Sequence, residues 1–110
     1  MQGTSRSELA AELERCARLC EDTAQLYVER HGDDVGTEVV SSLLLAAAAL
    51  DTAVKAVEAG EGTTALLIAS TLASDAVAAA ERRGLDESLL RCVPMLRRVA
   101  ALCERALDET

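Results

Sequence analysis

The residues with the most chemistry to offer are four cysteines that form two pairs, Cys16 with Cys20 and Cys92 with Cys103. A helix turns through about 100° per residue, so spacings of four and eleven both return a side chain to within about 40° of its starting direction. Each pair is therefore expected on one face of a helix. If those two helices are neighbours, the thiols line a common seam, with Cys16 near Cys103 and Cys20 near Cys92.

Thiolates in a dry core are soft ligands, which favour Cu(I) first and Zn(II) second. Met95, on the same predicted helix as Cys92, adds a thioether. A single tetrahedral Zn(II) site is disfavoured because the four sulfurs spread too far along the bundle axis. Inert packing and a redox pair remain open as alternatives. The residues predicted to hold metal are Cys16, Cys20, Cys92, Cys103 and Met95.

The remaining residues show no pattern typical of an acid–base catalytic site. The single histidine, His31, falls at a predicted helix end and is interpreted as a solvated capping residue. Asp51 and Asp75 interrupt apolar helices and are interpreted as surface carboxylates. No histidine and carboxylate share a core face, so we assign no catalytic and no organic-cofactor residues and favour a non-enzymatic role.

The elements that must position the cysteines are all helical, in one domain spanning residues 1–110. Half of the residues are hydrophobic, but Tyr27 is the only aromatic one, so the core must be built from Leu, Val and Ala. Apolar periodicity predicts helices at about 7–30, 37–59, 63–83 and 86–107. Short turns between helices of similar length predict an antiparallel, up-down-up-down four-helix bundle.

Local signals mark the helix ends. Ser5 with Glu8 is a capping-box pattern, and Asp86 is a strong N-cap for helix 4. The first helix should end at Gly32, with the turn continuing through Asp33 and Asp34. Inside helix 4, the only proline, Pro94, cannot donate a backbone hydrogen bond and predicts a kink beside Cys92.

The charge pattern limits the partners. The net charge is −8 and no run of Lys or Arg occurs, so neither nucleic acid nor an anionic membrane is expected to bind. Met1 to Ser7 lacks the features of a secretory signal, and the uninterrupted apolar run Leu43 to Leu50 is too short for a membrane span. We therefore expect a cytoplasmic protein with reduced thiols.

Helix 2 departs from simple amphipathicity. Its stretch from Val39 to Leu50 is apolar nearly all round, interrupted only by Ser41 and Ser42. We predict a homo-oligomer assembled through helix 2, with packing against both neighbouring helices as the alternative.

The cysteine helices resemble the cysteine-rich four-helix-bundle copper-binding family, which includes the bacterial copper storage proteins. Members carry C-x-x-C and C-x-x-x-C steps on every helix. Helix 1 here reads Cys16-Ala17-Arg18-Leu19-Cys20-Glu21-Asp22-Thr23-Ala24, with Thr23 in place of a third cysteine. The family's other cysteine positions fall here on Leu45, Ala49, Thr52, Ala56, Ala76, Ala80, Leu96 and Val99.

The resemblance implies a four-helix bundle that holds Cu(I) through core thiolates. Because two of the four predicted helices carry no cysteine, it implies one or a few ions rather than bulk storage. We predict a low-capacity Cu(I)-binding protein that acts in copper handling. The alternatives are a bundle repurposed to bind a small apolar molecule in its core or to catalyse a reaction, and a structural oligomerisation module.

Overall fold

The computed structural model describes residues 5–32 and 37–109, and every regular element in those ranges is a helix. The predicted all-α class is confirmed. Predicted and observed helix ends agree within one residue, except that the structure divides predicted helix 4 in two. The elements are α1 (Arg6–His31), α2 (Thr37–Glu58), α3 (Thr63–Arg83), the single turn α4 (Glu87–Leu90) and α5 (Cys92–Asp108).

Both ends of α1 follow from local chemistry. The Glu8 amide donates to the Ser5 hydroxyl at 3.2 Å, and the Ser5 amide donates to the Glu8 carboxylate at 3.2 Å, which completes the predicted capping box. At the other end, Gly32 has a φ of +73°, a value that favours glycine, and its amide donates to the Val28 carbonyl at 2.8 Å. The rest of the predicted turn, Asp33 and Asp34, lies outside the described residues.

The division between α4 and α5 replaces the predicted kink. Asp86 caps α4 as expected, accepting a hydrogen bond from the Leu89 amide at 3.2 Å. Pro94 has no N–H to offer the Leu90 carbonyl, so the α-helical hydrogen-bond ladder stops there. Arg91 joins the two helices with helical torsion angles (φ −84°, ψ −36°), so the interruption at this residue is in hydrogen bonding. Pro94 thus sits in the first turn of α5, where proline is tolerated.

The long helices pack in a closed order: α1 against α2, α2 against α3, α3 against α5, and α5 back against α1. The molecule measures 45 × 20 × 18 Å, and α1, with 26 residues, is about 39 Å long at 1.5 Å per residue. The core contains one aromatic ring, Tyr27, and is otherwise aliphatic or sulfur-bearing. Its largest fully buried side chains are Leu13, Leu43, Leu50, Leu89, Leu96, Val39, Val93, Val99, Cys16, Cys20, Cys92 and Cys103.

Two segments, Glu38–Glu58 in α2 and Thr63–Arg83 in α3, are long and apolar enough to cross a membrane by length and composition alone. The sequence expectation considered only the uncharged run Leu43 to Leu50 and missed them. The core helix of a soluble protein meets the same two criteria, so this property is weak evidence for a membrane span.

Candidate thiol site

All four cysteines are unpaired and have no solvent-exposed surface. Cys16 and Cys20 lie one turn apart on α1, and Cys92 and Cys103 lie on the buried face of α5. Because α1 and α5 pack together, the sequence pattern of two cysteine faces becomes one shared interface. The thiols therefore lie in the driest part of the molecule, where sulfur behaves as a small apolar group until a ligand or an oxidant reaches it.

Cys20 and Cys92 are in direct contact across the α1–α5 interface. Their Sγ atoms are 3.9 Å apart, close enough for a weak S–H···S hydrogen bond in either direction. Thr23, three residues after Cys20 and itself buried, lies close enough to Cys92 to help lower the pKa of that thiol. The two sulfurs and the hydroxyl form a compact polar group inside the aliphatic core.

The other two thiols extend this group into a row. Cys16 is close enough to Cys20 to raise the pKa of the Cys20 thiol, and near enough to Cys103 for their charges to repel. We call these four side chains, which neighbour one another in the spatial order Cys92, Cys20, Cys16 and Cys103, the thiol row. It contains both pairs that the sequence spacing suggested.

The thiols of the row release their protons unequally. Hydrogen bonds from the Cys20 thiol and, more weakly, from Thr23 outweigh burial and hold the pKa of Cys92 below its ordinary value of 9.0. Hydrogen bonds with Cys16 and Cys92, followed by burial, raise the pKa of Cys20 far above that value. Burial, followed by the charge of Cys16, raises the pKa of Cys103 to about 12. Of these three, Cys92 is the thiol that ionises first.

The row does not form a polydentate metal cage. Within residues 5–32 and 37–109, no group of three or more His, Cys, Asp or Glu side chains is placed to hold one metal ion. Two contacting thiols do suit a soft ion of low coordination number. With metal–thiolate bonds of about 2.3 Å, two sulfurs 3.9 Å apart can both reach the same ion.

Met95 is half-buried and packs against the core cluster. His31 pairs with Asp86 and contacts Tyr27 with tilted rings whose centroids are 4.4 Å apart, so it links the end of α1 to the start of α4. Asp51 and Asp75 are exposed, as expected.

Sequence reasoning gave Thr23 only a place as a substituted cysteine. In the structure it lies close enough to Cys92 to help lower the pKa of that thiol. The available signal was spacing, because Thr23 follows Cys20 by three residues and Cys16 by seven, which puts all three on one helix face.

A cleft of about 290 Å³ opens between α1 and α4, beside the Cys20–Cys92 pair. We call it the α1/α4 cleft. Its lining includes Thr23, Ser88 and Arg91, of which Thr23 lies near Cys92 and Arg91 precedes Cys92 in the chain. A larger cleft of about 690 Å³ lies between the start of α1 and the end of α2, and no cysteine lines it.

The α2 register drawn from the family resemblance is wrong. Leu45 is 56% exposed and Thr52 is exposed, so the column that would hold family cysteines does not face the core. The buried residues of α2 are instead Val39, Leu43, Ala46, Ala47, Leu50, Ala53 and Val57. In the other helices, the matching positions are buried: Thr23, Ala76, Ala80, Leu96 and Val99.

Comparisons with known proteins add no relative from which a role could be transferred. No protein-family model matches the chain, and neither a curated protein nor a solved structure matches it. The functional argument therefore rests on the chemistry of the thiol row.

Proposed function

We propose that this protein binds Cu(I) through Cys20 and Cys92 at low capacity and acts in copper handling. The observation that carries the proposal is the 3.9 Å contact between two fully buried thiols on different helices. Sulfur donors in a water-poor site favour Cu(I) over harder cations. Cu(I) also accepts two-coordinate thiolate ligation, so the pair suffices without a third ligand.

Cys16 and Cys103 form a second, weaker pair in this proposal. The pKa of Cys103 is raised to about 12, so its thiolate is formed at a greater free-energy cost than that of Cys92. Met95, one turn along α5 from Cys92, is a candidate thioether ligand. Function in a reducing compartment such as the cytoplasm would keep these thiols available.

Anaerobic titration of the reduced, full-length chain with Cu(I), against a chromophoric competitor, tests the proposal. We expect tight uptake of one ion, followed by weaker uptake of a second. Because binding displaces thiol protons, the apparent affinity should fall as the pH is lowered. A protein that takes no Cu(I) from the competitor would contradict the proposal and direct attention to organic ligands.

For the fold we propose an antiparallel, up-down-up-down four-helix bundle. Each long helix packs on the next in the chain, and only the short segments 59–62 and 84–86 separate α2 from α3 and α3 from α4. A length of 45 Å, little more than that of α1 alone, supports helices lying side by side.

We also propose that copies of the chain associate through α2. Leu44 and Leu45 on this helix are 48% and 56% exposed, although both are large apolar residues. Exposed apolar surface costs about 25 cal/mol per Å² in water, and a second copy would cover it. Sedimentation of the full-length chain across micromolar concentrations tests this, and a monomer throughout would contradict it.

A further inference from the structure

We propose that Cys20 and Cys92 also form a reversible disulfide, driven by hydrogen peroxide that reaches the pair through the α1/α4 cleft. This inference goes beyond the proposed copper function, because the reaction needs no metal. Either of the two thiols can attack the oxidant, and the other then closes the disulfide.

The pair is already near bonding distance. A disulfide has an S–S length of about 2.05 Å, so the 3.9 Å separation must shorten by about 2 Å. The two cysteines belong to helices that pack against each other in the native fold. The cross-link would therefore join two neighbouring helices within one chain.

The α1/α4 cleft supplies the route. Thr23 and Arg91 line it, together with Arg30 and Ser88, so its wall carries donors for a small polar molecule. Cys92 has no exposed surface, so the last step needs a local opening. The chain is suited to open here, because α4 is one turn long and Pro94 interrupts the hydrogen-bond ladder between α4 and α5.

The chemistry balances in two steps. In the first, the thiolate of one cysteine of the pair attacks one oxygen of hydrogen peroxide, the O–O bond breaks, and the hydroxide that leaves takes a proton to become water. That cysteine is then a sulfenic acid. In the second step, the sulfur of the other cysteine attacks the sulfenic acid sulfur, the S–O bond breaks, and the departing hydroxide takes the proton of the second thiol to leave as water. A thiol reductant such as dithiothreitol reverses the result by exchange.

Peroxide treatment of the reduced, metal-free, full-length chain tests the inference. We expect a mass lower by two hydrogen atoms, a cross-linked peptide containing Cys20 and Cys92, and recovery with dithiothreitol. The Cys16→Ala/Cys103→Ala variant is the matched control and should form the same cross-link. The Cys20→Ala variant should form no such cross-link and should stop at a sulfenic acid that dimedone traps. Circular dichroism confirms that each variant keeps its helices.

A cross-link that maps to Cys16 or Cys103 would overturn the proposal. So would a pair that reacts only after urea unfolds the chain. Because no metal is present, these results are independent of the copper titration.

Discussion

Helices α1 and α5 differ from α2 and α3 both inside and outside the fold. The first pair buries all four cysteines, whereas the buried faces of α2 and α3 are mostly alanine with some leucine and valine. Outside, ten of the 26 residues of α1 are charged, against four of 22 in α2. Instead of charges, α2 exposes Leu44 and Leu45, and α3 exposes Leu67 and Ile68.

The thiol chemistry therefore belongs to α1 and α5, whereas the proposed self-association belongs to α2. The charged outer face of α1 includes the pair of Arg18 with Glu14 at 2.5 Å, and Arg98 of α5 reaches Glu12 at 3.6 Å. Such exposed pairs add little stability but keep this side of the molecule hydrated. A second copy seated on α2 would leave the α1/α4 cleft uncovered. Copper uptake and thiol oxidation should therefore not depend on the oligomeric state.

The largest expected effect is on the free energy of unfolding, and it should be similar for core substitutions in α2 and in α5. Leu50→Ala in α2 and Leu96→Ala in α5 each remove a fully buried side chain and should lower the free energy of unfolding by about 2–5 kcal/mol. Cys16→Ala removes a single sulfur and should cost about 1 kcal/mol. Urea unfolding measures all three. If Cys16→Ala cost as much as the leucine variants, the thiols would be structural rather than chemical groups.

The next largest effect is on self-association and should be confined to substitutions in α2. Replacing Leu44 and Leu45 by Glu removes about 2–3 kcal/mol of burial per protomer, since each is about half exposed, and so about 4–6 kcal/mol for two copies, which should weaken self-association by about a thousandfold or more. Leu26→Glu, at an exposed leucine on α1, is the matched control and should leave association unchanged. Sedimentation equilibrium distinguishes them. Equal effects at both sites would remove the distinction between the two surfaces.

A smaller effect on the free energy of unfolding should appear at alkaline pH, and it should come from Cys103 in α5. Cys103 keeps its proton in the folded state up to a pKa of about 12, against 9.0 for an ordinary thiol. Between those values the unfolded chain binds fewer protons, so stability falls as the pH rises, and below 9.0 this contribution is constant and fully present. Cys103→Ala should lose less stability than the parent from pH 9 to 11 in urea unfolding. Parallel curves for the two proteins would contradict the assignment.

The sequence predicted the helix ends and the buried thiols because both depend on local signals. Ser5 and Asp86 cap their helices through side-chain chemistry that spacing alone reveals. Cys16 and Cys20 share a face with the other apolar residues of a clearly amphipathic helix, so periodicity determines which side is buried.

Local signals in the sequence could not predict which face of α2 is buried or that Thr23 contacts Cys92. The stretch from Val39 to Leu50 is apolar almost all round, so periodicity does not distinguish Leu43, which is buried, from Leu45, which is exposed. That choice is made by the helices packed on either side. Likewise, spacing put Thr23 on the cysteine face, but its proximity to Cys92 depends on how α5 packs against α1.

The central claim is that the Cys20–Cys92 pair holds the first Cu(I) ion. The most direct test compares the Cu(I) affinity of Cys20→Ala/Cys92→Ala with that of Cys16→Ala/Cys103→Ala, both reduced and titrated anaerobically against the same competitor. Each variant loses two buried thiols, so cavity effects are matched. We predict that the first variant loses the tight site and the second keeps it. Equal affinities in the two variants, or retention of tight binding without Cys20 and Cys92, would contradict the account.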